Sequence, residues 1–248
     1  MSDLITSHGS HELTLQSVTA NYGKKTALKE VTFSVKCGHR LGVIGPNGAG
    51  KSTLIRILAG LKPVIRGKIL WQDKPLNKCT REIAYLPQLD QHHKHFPITV
   101  REVVSMGRYP SVGFWKKLTE RDYQIIEQAI DIMEMKNLQD RQIDELSGGQ
   151  QQRAYIARAL AQEAHVLLLD EPFNGLDNES SHHLMHSLHS LSQNGHLIIA
   201  SHHNLETLDK IFDRILVLNT KQVAFGATKT TLHKDAVQTL FQCHHFSE

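Results

Sequence analysis

The chain lacks most of what would commit it to several large classes of protein. Its 248 residues hold three cysteines, Cys37, Cys79 and Cys243, odd in number and far apart. They make neither a disulfide framework nor a metal pair with one another, so a reducing compartment is the expectation. Charge of neither sign dominates, with 28 Lys and Arg against 25 Asp and Glu and a formal net charge of +3. That balance lacks the basic footprint of a nucleic-acid binder or of a protein held on an anionic membrane. Nowhere do about 18 apolar residues run together, so no bilayer-spanning helix is predicted. The opening "MSDLITSHGSHELTLQ" has no basic region followed by an apolar one, so no secretory signal is predicted either. Internal repeats, low-complexity runs and flexible linkers are also missing. A membrane process would engage this chain by docking it onto another.

What is present is a change of hydrophobic period along the chain. "HELTLQSV" (11–18) and "LKEVTFSV" (28–35) alternate apolar and polar residues, as half-buried antiparallel strands do. "RLGVIG" (40–45) is a short apolar run ending in glycine, the pattern of a strand buried on both faces. "GKSTLIRILAGL" (50–61) turns to helical spacing, and "GKILWQD" and "REIAYLPQ" predict further strands. From Thr99 to about Glu163 the period is helical, interrupted near "GRYPSVGFWKK". "VLLLD" (166–170), "HLIIAS" (196–201) and "RILVLN" (214–219) predict three more buried strands with helices between them. Strands alternating with helices predict a parallel α/β core with lobes attached.

The chemistry begins at "GPNGAGKST", which is Gly45, Pro46, Asn47, Gly48, Ala49, Gly50, Lys51, Ser52 and Thr53. This matches G-x-x-x-x-G-K-[ST] between a buried strand and a helix, as a phosphate-binding loop requires. Glycines let such a loop wrap phosphate oxygens, and the free N–H groups of the helix start favour negative charge. Lys51 would reach the β- and γ-phosphates and the Ser52 hydroxyl would ligate Mg²⁺. "VLLLDEP" then delivers two acids to the end of a buried strand. Asp170 would hold Mg²⁺ through water, and Glu171 would orient or deprotonate a water at the γ-phosphate. The alternatives, a plain glycine turn and two acids that merely end a strand, ignore the context both motifs share.

A second anion site is predicted at "ELSGGQQQRAYIARAL" (145–160). Ser147 stands where an N-cap belongs, and Gly148 and Gly149 would leave the N–H groups of the first turn uncovered. Residues 146–150, "LSGGQ" with Gln150 at its end, resemble the signature motif of ATP-binding cassette (ABC) ATPases. The other cassette motifs follow in order over residues 12–226. Tyr22 in "NYG" resembles the aromatic that stacks on adenine. Gln88 in "YLPQ" resembles the Q-loop glutamine that meets Mg²⁺ and the transmembrane partner. Asp177 in "FNGLD" resembles the D-loop acid, and His202 in "IIASHH" the switch histidine at the γ-phosphate. One departure is His203, where that family usually carries an acid.

The resemblance implies a P-loop NTPase fold of the ABC type, with a RecA-like core, an antiparallel β lobe and an α-helical lobe. The ATPase domain would cover 11–226, with the helical lobe inserted at about 89–160, and 227–248 would form a C-terminal helical tail. ATP and Mg²⁺ are the implied cofactors, Mg²⁺ being held by Ser52, Gln88 and Asp170. It further implies a head-to-tail homodimer in which the signature of one copy, Ser147 to Gln150, caps the ATP of the other. A lone cassette without coiled coil or zinc insertion resembles the ATPase subunit of a bacterial importer. Such a subunit sits on the cytoplasmic face of the membrane through a permease and is fed indirectly by an extracellular metal-binding protein. "FPITVREVVSMGRYP", "GGQQQR" and "FNGLD" resemble the manganese, zinc and iron importers. Siderophore and haem importers share a "GRYP"-like stretch and are the rival reading. An ABC ATPase acting on nucleic acid is a more distant one, and the near-neutral charge argues against a nucleic-acid partner.

Histidine is abundant, at 17 residues. His182, His186 and His189 fall on one helical face opposite Leu184, Leu188 and Leu191. Such spacing can chelate a borderline metal, although a solvated face is the plainer reading. "HHKH" (92–95) and "CHH" (243–245) are looser clusters.

Overall fold

The computed structural model describes residues 11–23, 25–76, 80–88, 97–113 and 116–245. Glu12–Tyr22 (β1) and Lys25–Lys36 (β2) form an antiparallel hairpin. Their alternation buries Leu13, Leu15, Val18 and Ala20 on one strand and Leu28, Val31, Phe33 and Val35 on the other. Arg40–Ile44 (β3) leads into Lys51–Leu58 (α1), and Arg66–Trp71 (β4) and Lys74–Pro75 (β5) extend the hairpin edge. Ile83–Leu86 (β6) then opens the route to the helical segment.

That segment is Val100–Ser105 (α2), Tyr109–Val112 (α3), Glu120–Ile132 (α4) and Gly148–Ala161 (α5). The breaks follow local chemistry. Thr99, Thr119 and Ser147 each build a capping box with the residue three places on, so α2, α4 and α5 begin where their caps stand. Val166–Leu169 (β7), Asn178–Gln193 (α6), Leu197–Ser201 (β8), Leu208–Ile211 (α7) and Arg214–Asn219 (β9) follow. Lys221–Ala227 (β10), Thr228–Thr231 (α8) and Asp235–His245 (α9) complete the described chain. Part of the expected helical lobe (89–96, with "HHKH") and the last tail residues, 246–248, lie outside the described residues.

The sheet order is β5-β4-β1-β2-β10-β9-β3-β8-β7-β6. β9, β3, β8, β7 and β6 are mutually parallel, and β10 pairs antiparallel with β9 and joins β2 at the single pair Lys221↔Lys29. Successive residues of the parallel strands enter two different cores. Leu167, Leu169, Ile198 and Ala200 pack with the helical lobe, whereas Val166, Leu168, Leu197 and Ile199 pack with α1 and the antiparallel lobe. This is why these strands read as unbroken apolar runs. The architecture is an α/β core with an antiparallel lobe and a helical lobe.

The "GRYP" stretch proves to be an internal tie. Arg108 is buried and its Nε donates to Asp122 Oδ1 at 2.9 Å, at the start of α4. Its Nη1 donates to the Ala161 carbonyl and to Glu163 Oε2, both at 2.7 Å, at the end of α5. A Cβ on Gly107 would lie 2.2 Å from the Arg158 carbonyl oxygen, so the backbone touches α5 directly. Arg108→Ala takes one partner from the Asp122 carboxylate, which keeps the Thr119 N–H and hydroxyl, and costs about 1–3 kcal/mol. Urea denaturation should read that loss, and a change under 1 kcal/mol would deny the tie its structural role.

Candidate functional site

The expected site residues converge at the carboxyl ends of neighbouring parallel strands. Residue Gly45 follows β3, Ser201 and His202 end and follow β8, Asp170 follows β7, and Gln88 lies two residues past β6. In an α/β sheet that edge is where ligands bind.

Between β3 and α1 the loop has no room for side chains at two points. Gly45 and Gly50 hold φ of 149° and 103°. A Cβ on Gly45 would come 2.1 Å from the Leu218 carbonyl oxygen, and one on Gly50 2.5 Å from that of Ala27. Lys51 is buried and folds over its own loop, with Nζ donating to the Gly45 carbonyl at 2.8 Å and the Pro46 carbonyl at 3.2 Å. Burial pulls its pKa below the usual lysine value, while the charges of Glu171 and Asp170 work against that fall.

Asp170 is buried and accepts two hydroxyl hydrogen bonds on Oδ1, from Ser52 at 3.0 Å and from Ser201 at 2.7 Å. The Ser201 oxygen in turn accepts the Glu171 backbone N–H at 2.7 Å. Ser201 was not singled out from the sequence, although a hydroxyl closing a buried apolar strand was its signal. Glu171 holds φ of +49°, a left-handed conformation that costs a non-glycine residue energy and is characteristic of functional sites. It borders a cleft of about 270 Å³ together with Tyr22, Asn47, Gly48, Lys51 and Ser52.

His202 is buried between Phe173 and Phe212, at ring-centroid distances of 5.6 and 5.7 Å, and Nε2 lies 2.8 Å from Thr207 Oγ1. Burial, with the like charge of His203 adding to it, lowers its pKa to about 4. The ring is therefore neutral at physiological pH and keeps one N–H to donate. His203 stacks on it at 5.8 Å, so the departure from the family pattern places a second imidazole beside the first. Gln88 is exposed past the end of β6.

The Ser147 turn stands apart from this cleft, which it does not line. Ser147 Oγ accepts the Gln150 N–H at 3.4 Å and Ser147 N–H donates to Gln150 Oε1 at 3.0 Å. The cap uses the hydroxyl as an acceptor and leaves its proton for another partner. One expectation needs correction here. Gly148 is exposed, but Gly149 is buried, and a Cβ on it would lie 2.4 Å from Ser180 Cβ. Close approach to the start of α6, not an uncovered backbone, explains the second glycine. Asp177 caps that same helix, accepting the Ser180 N–H at 2.7 Å and its hydroxyl at 3.2 Å. The signature turn and the D-loop are thus packed together within one chain.

Two other features fall outside the site. His182, His186 and His189 are exposed on α6, and among the described residues no three His, Cys, Asp or Glu side chains are placed to hold a metal. His182 and His189 are separated by about 10 Å of helix rise, so the three imidazoles cannot meet at one ion. The suggested transition-metal cluster is therefore not formed. A larger groove of about 690 Å³ runs beside the end of α1 and β4, but its lining is mostly apolar and holds none of the phosphate-grip residues.

A protein-family model described as ABC transporter matches residues 28–174. The chain belongs to this family. This ABC ATPase hydrolyses ATP. It is 42% identical over 224 residues to the manganese transport system ATP-binding protein MntB of Listeria monocytogenes, covering 90% of this chain and 93% of that one. It is 38% identical to the zinc transport system ATP-binding protein TroB of Treponema pallidum, over 92% of this chain and 85% of the relative. A solved structure titled as an inward-facing putative metal-chelate type ABC transporter superposes with a TM-score of 0.82 at 30% identity, covering 94% of this chain and 89% of that one. Among the described residues no helix of this ATPase is long and apolar enough to cross a membrane.

His196, fully buried at the start of β8, has its pKa lowered to about 4 by burial, against the pull of the Ala164 carbonyl. An unfolded chain takes up protons on both His196 and His202 below their ordinary value of 6.5, and the folded chain does so only near pH 4. Stability should therefore fall as pH drops through that window. Denaturation midpoints across it should decline less steeply in His196→Gln and His202→Gln, and identical slopes would contradict the burial argument.

Proposed function

We propose that this ATPase is the ATP-binding subunit of a divalent-metal importer, working as a head-to-tail pair beneath a membrane permease. The observation that carries the substrate class is similarity along nearly the whole chain to relatives named for manganese and zinc transport. In this reading the nucleotide's phosphates lie on the loop from Gly45 to Thr53, where Lys51 exchanges its carbonyl partners for phosphate oxygens. Ser52, which lines the cleft, and Asp170, hydrogen-bonded to it, are hard oxygen donors that would hold Mg²⁺, and Gln88 would add an amide oxygen. Bound there, Mg²⁺ neutralises phosphate charge. Glu171 takes the proton of the attacking water, while neutral His202 donates to the γ-phosphate. Ser147 and the Gly148 N–H from the second copy close over the same phosphate.

Closure moves the helical lobe, and Gln88 joins the nucleotide site to that lobe and to the permease. The permease holds the subunit on the cytoplasmic face of the membrane, and an extracellular binding protein delivers the metal. The similarity to a metal-chelate type transporter structure favours a second reading, in which the cargo is chelated iron or haem. Cells expressing the chain with its permease should take up free manganese or zinc, and Lys51→Ala should abolish uptake. Uptake of a chelate with none of the free ions would establish the second reading instead.

Glu171→Gln should retain ATP binding and lose about 10²–10⁴-fold in turnover, the usual worth of a positioned base. Steady-state hydrolysis measured beside equilibrium nucleotide binding checks this, and near-normal turnover would remove Glu171 from the role.

A further inference from the structure

We infer that Lys62 is a positioning residue for the adenine base, holding the Tyr22 ring from behind. The inference rests on the reading of Tyr22 as the base platform. Tyr22 ends β1 and is 63% exposed, so packing alone does not fix its ring. The Lys62 ammonium lies 3.8 Å from the ring centroid, well inside the range of a cation–π contact. The two residues border different spaces. Tyr22 lines the cleft beside the phosphate loop and Lys62 does not, whereas Lys62 lines the apolar groove at the end of α1 and Tyr22 does not. The cation thus covers one face of a ring whose residue borders the cleft, and in this inference the base stacks on the uncovered face.

Lys62 reaches this place through α1. Leu61 N–H donates to the Arg56 carbonyl at 2.9 Å and Gly60 N–H to that of Ile57 at 3.0 Å, so the turn after the helix is tied down. The turn that leaves the helix opened by Lys51 and Ser52 thus carries Lys62 to the Tyr22 ring. A ring already pinned on one face loses less rotamer freedom when a base stacks on the other, and that is a gain in affinity by preorganisation. An aspect of base binding therefore resides in a residue that touches no nucleotide atom.

The test compares binding of ATP with that of inorganic tripolyphosphate, which has no base, on the full chain. Lys62→Ala should weaken ATP binding about three- to five-fold, the worth of a largely exposed cation–π contact, and leave tripolyphosphate unchanged. KM for ATP should rise by the same factor with kcat nearly constant, and Lys62→Arg should restore both. Tyr22→Ala should weaken ATP binding further, and adding Lys62→Ala to it should do nothing more. Equal losses for ATP and tripolyphosphate, or a Lys62→Ala effect that persists without Tyr22, would overturn the inference. So would a silent Lys62→Ala beside a damaging Tyr22→Ala, which sinks Lys62 alone. An unchanged Tyr22→Ala would instead sink the base platform itself.

Discussion

Asp170 Oδ1 receives two hydroxyls, Ser52 from the first turn of α1 and Ser201 from the end of β8, and the second of these also accepts the backbone N–H of Glu171. This single oxygen joins three chain segments far apart in sequence into one rigid edge of the sheet. It is buried, so each hydroxyl that reaches it is worth more than it would be in water, and a missing one would be costly. The first turn of α1, the Asp170–Glu171 pair and the end of β8 are held together at this node. Every chemical role assigned to Lys51, Glu171 and His202 depends on that fixed geometry.

Around the rigid edge lie parts built to act together. Gly149 lets the start of α5 touch Ser180 at the start of α6, and Asp177 caps α6 one turn away. The Ser147 turn and the start of α6 are therefore in direct contact in the same chain. The buried Arg108 ties α4 to the end of α5. Gln88 lies two residues past the core strand β6. These connections describe how occupancy of the nucleotide cleft could be felt at a membrane partner without any of them touching the cargo.

Much of this was legible in the sequence, for identifiable reasons. "RLGVIG", "VLLLD" and "HLIIAS" are buried on both faces, so their apolar runs announced the parallel core. The loop from Gly45 to Thr53 was legible because its motif is local, and Gly45 and Gly50 sit where side chains have no room. Ser147 was readable as a cap because a capping box needs only its own two residues. Other features depend on distant contacts and could not be read. β5 has two residues, and β10 lacks clean alternation because its neighbours half-bury both faces. Gly149 looked like a bare helix mouth because Ser180, which it meets, is 31 positions away in the chain. Arg108 could not be read as a tie because nothing local reveals its partners Asp122 and Ala161. The histidine face on α6 was read correctly as a face, but helical spacing alone cannot bring three rings to one ion.

In the proposed head-to-tail pair, one copy's Ser147 turn completes the phosphate site that another copy's Lys51 begins. Ser147 does not line the cleft of its own chain, and its hydroxyl serves its own cap as an acceptor. The most direct measurement is a structure of the chain with a non-hydrolysable ATP analogue and Mg²⁺. The account predicts two copies with Ser147 Oγ about 3 Å from a γ-phosphate oxygen gripped by the other copy's Lys51. A bound analogue whose γ-phosphate meets the Ser147 of its own chain, or no Ser147 at all, would contradict it.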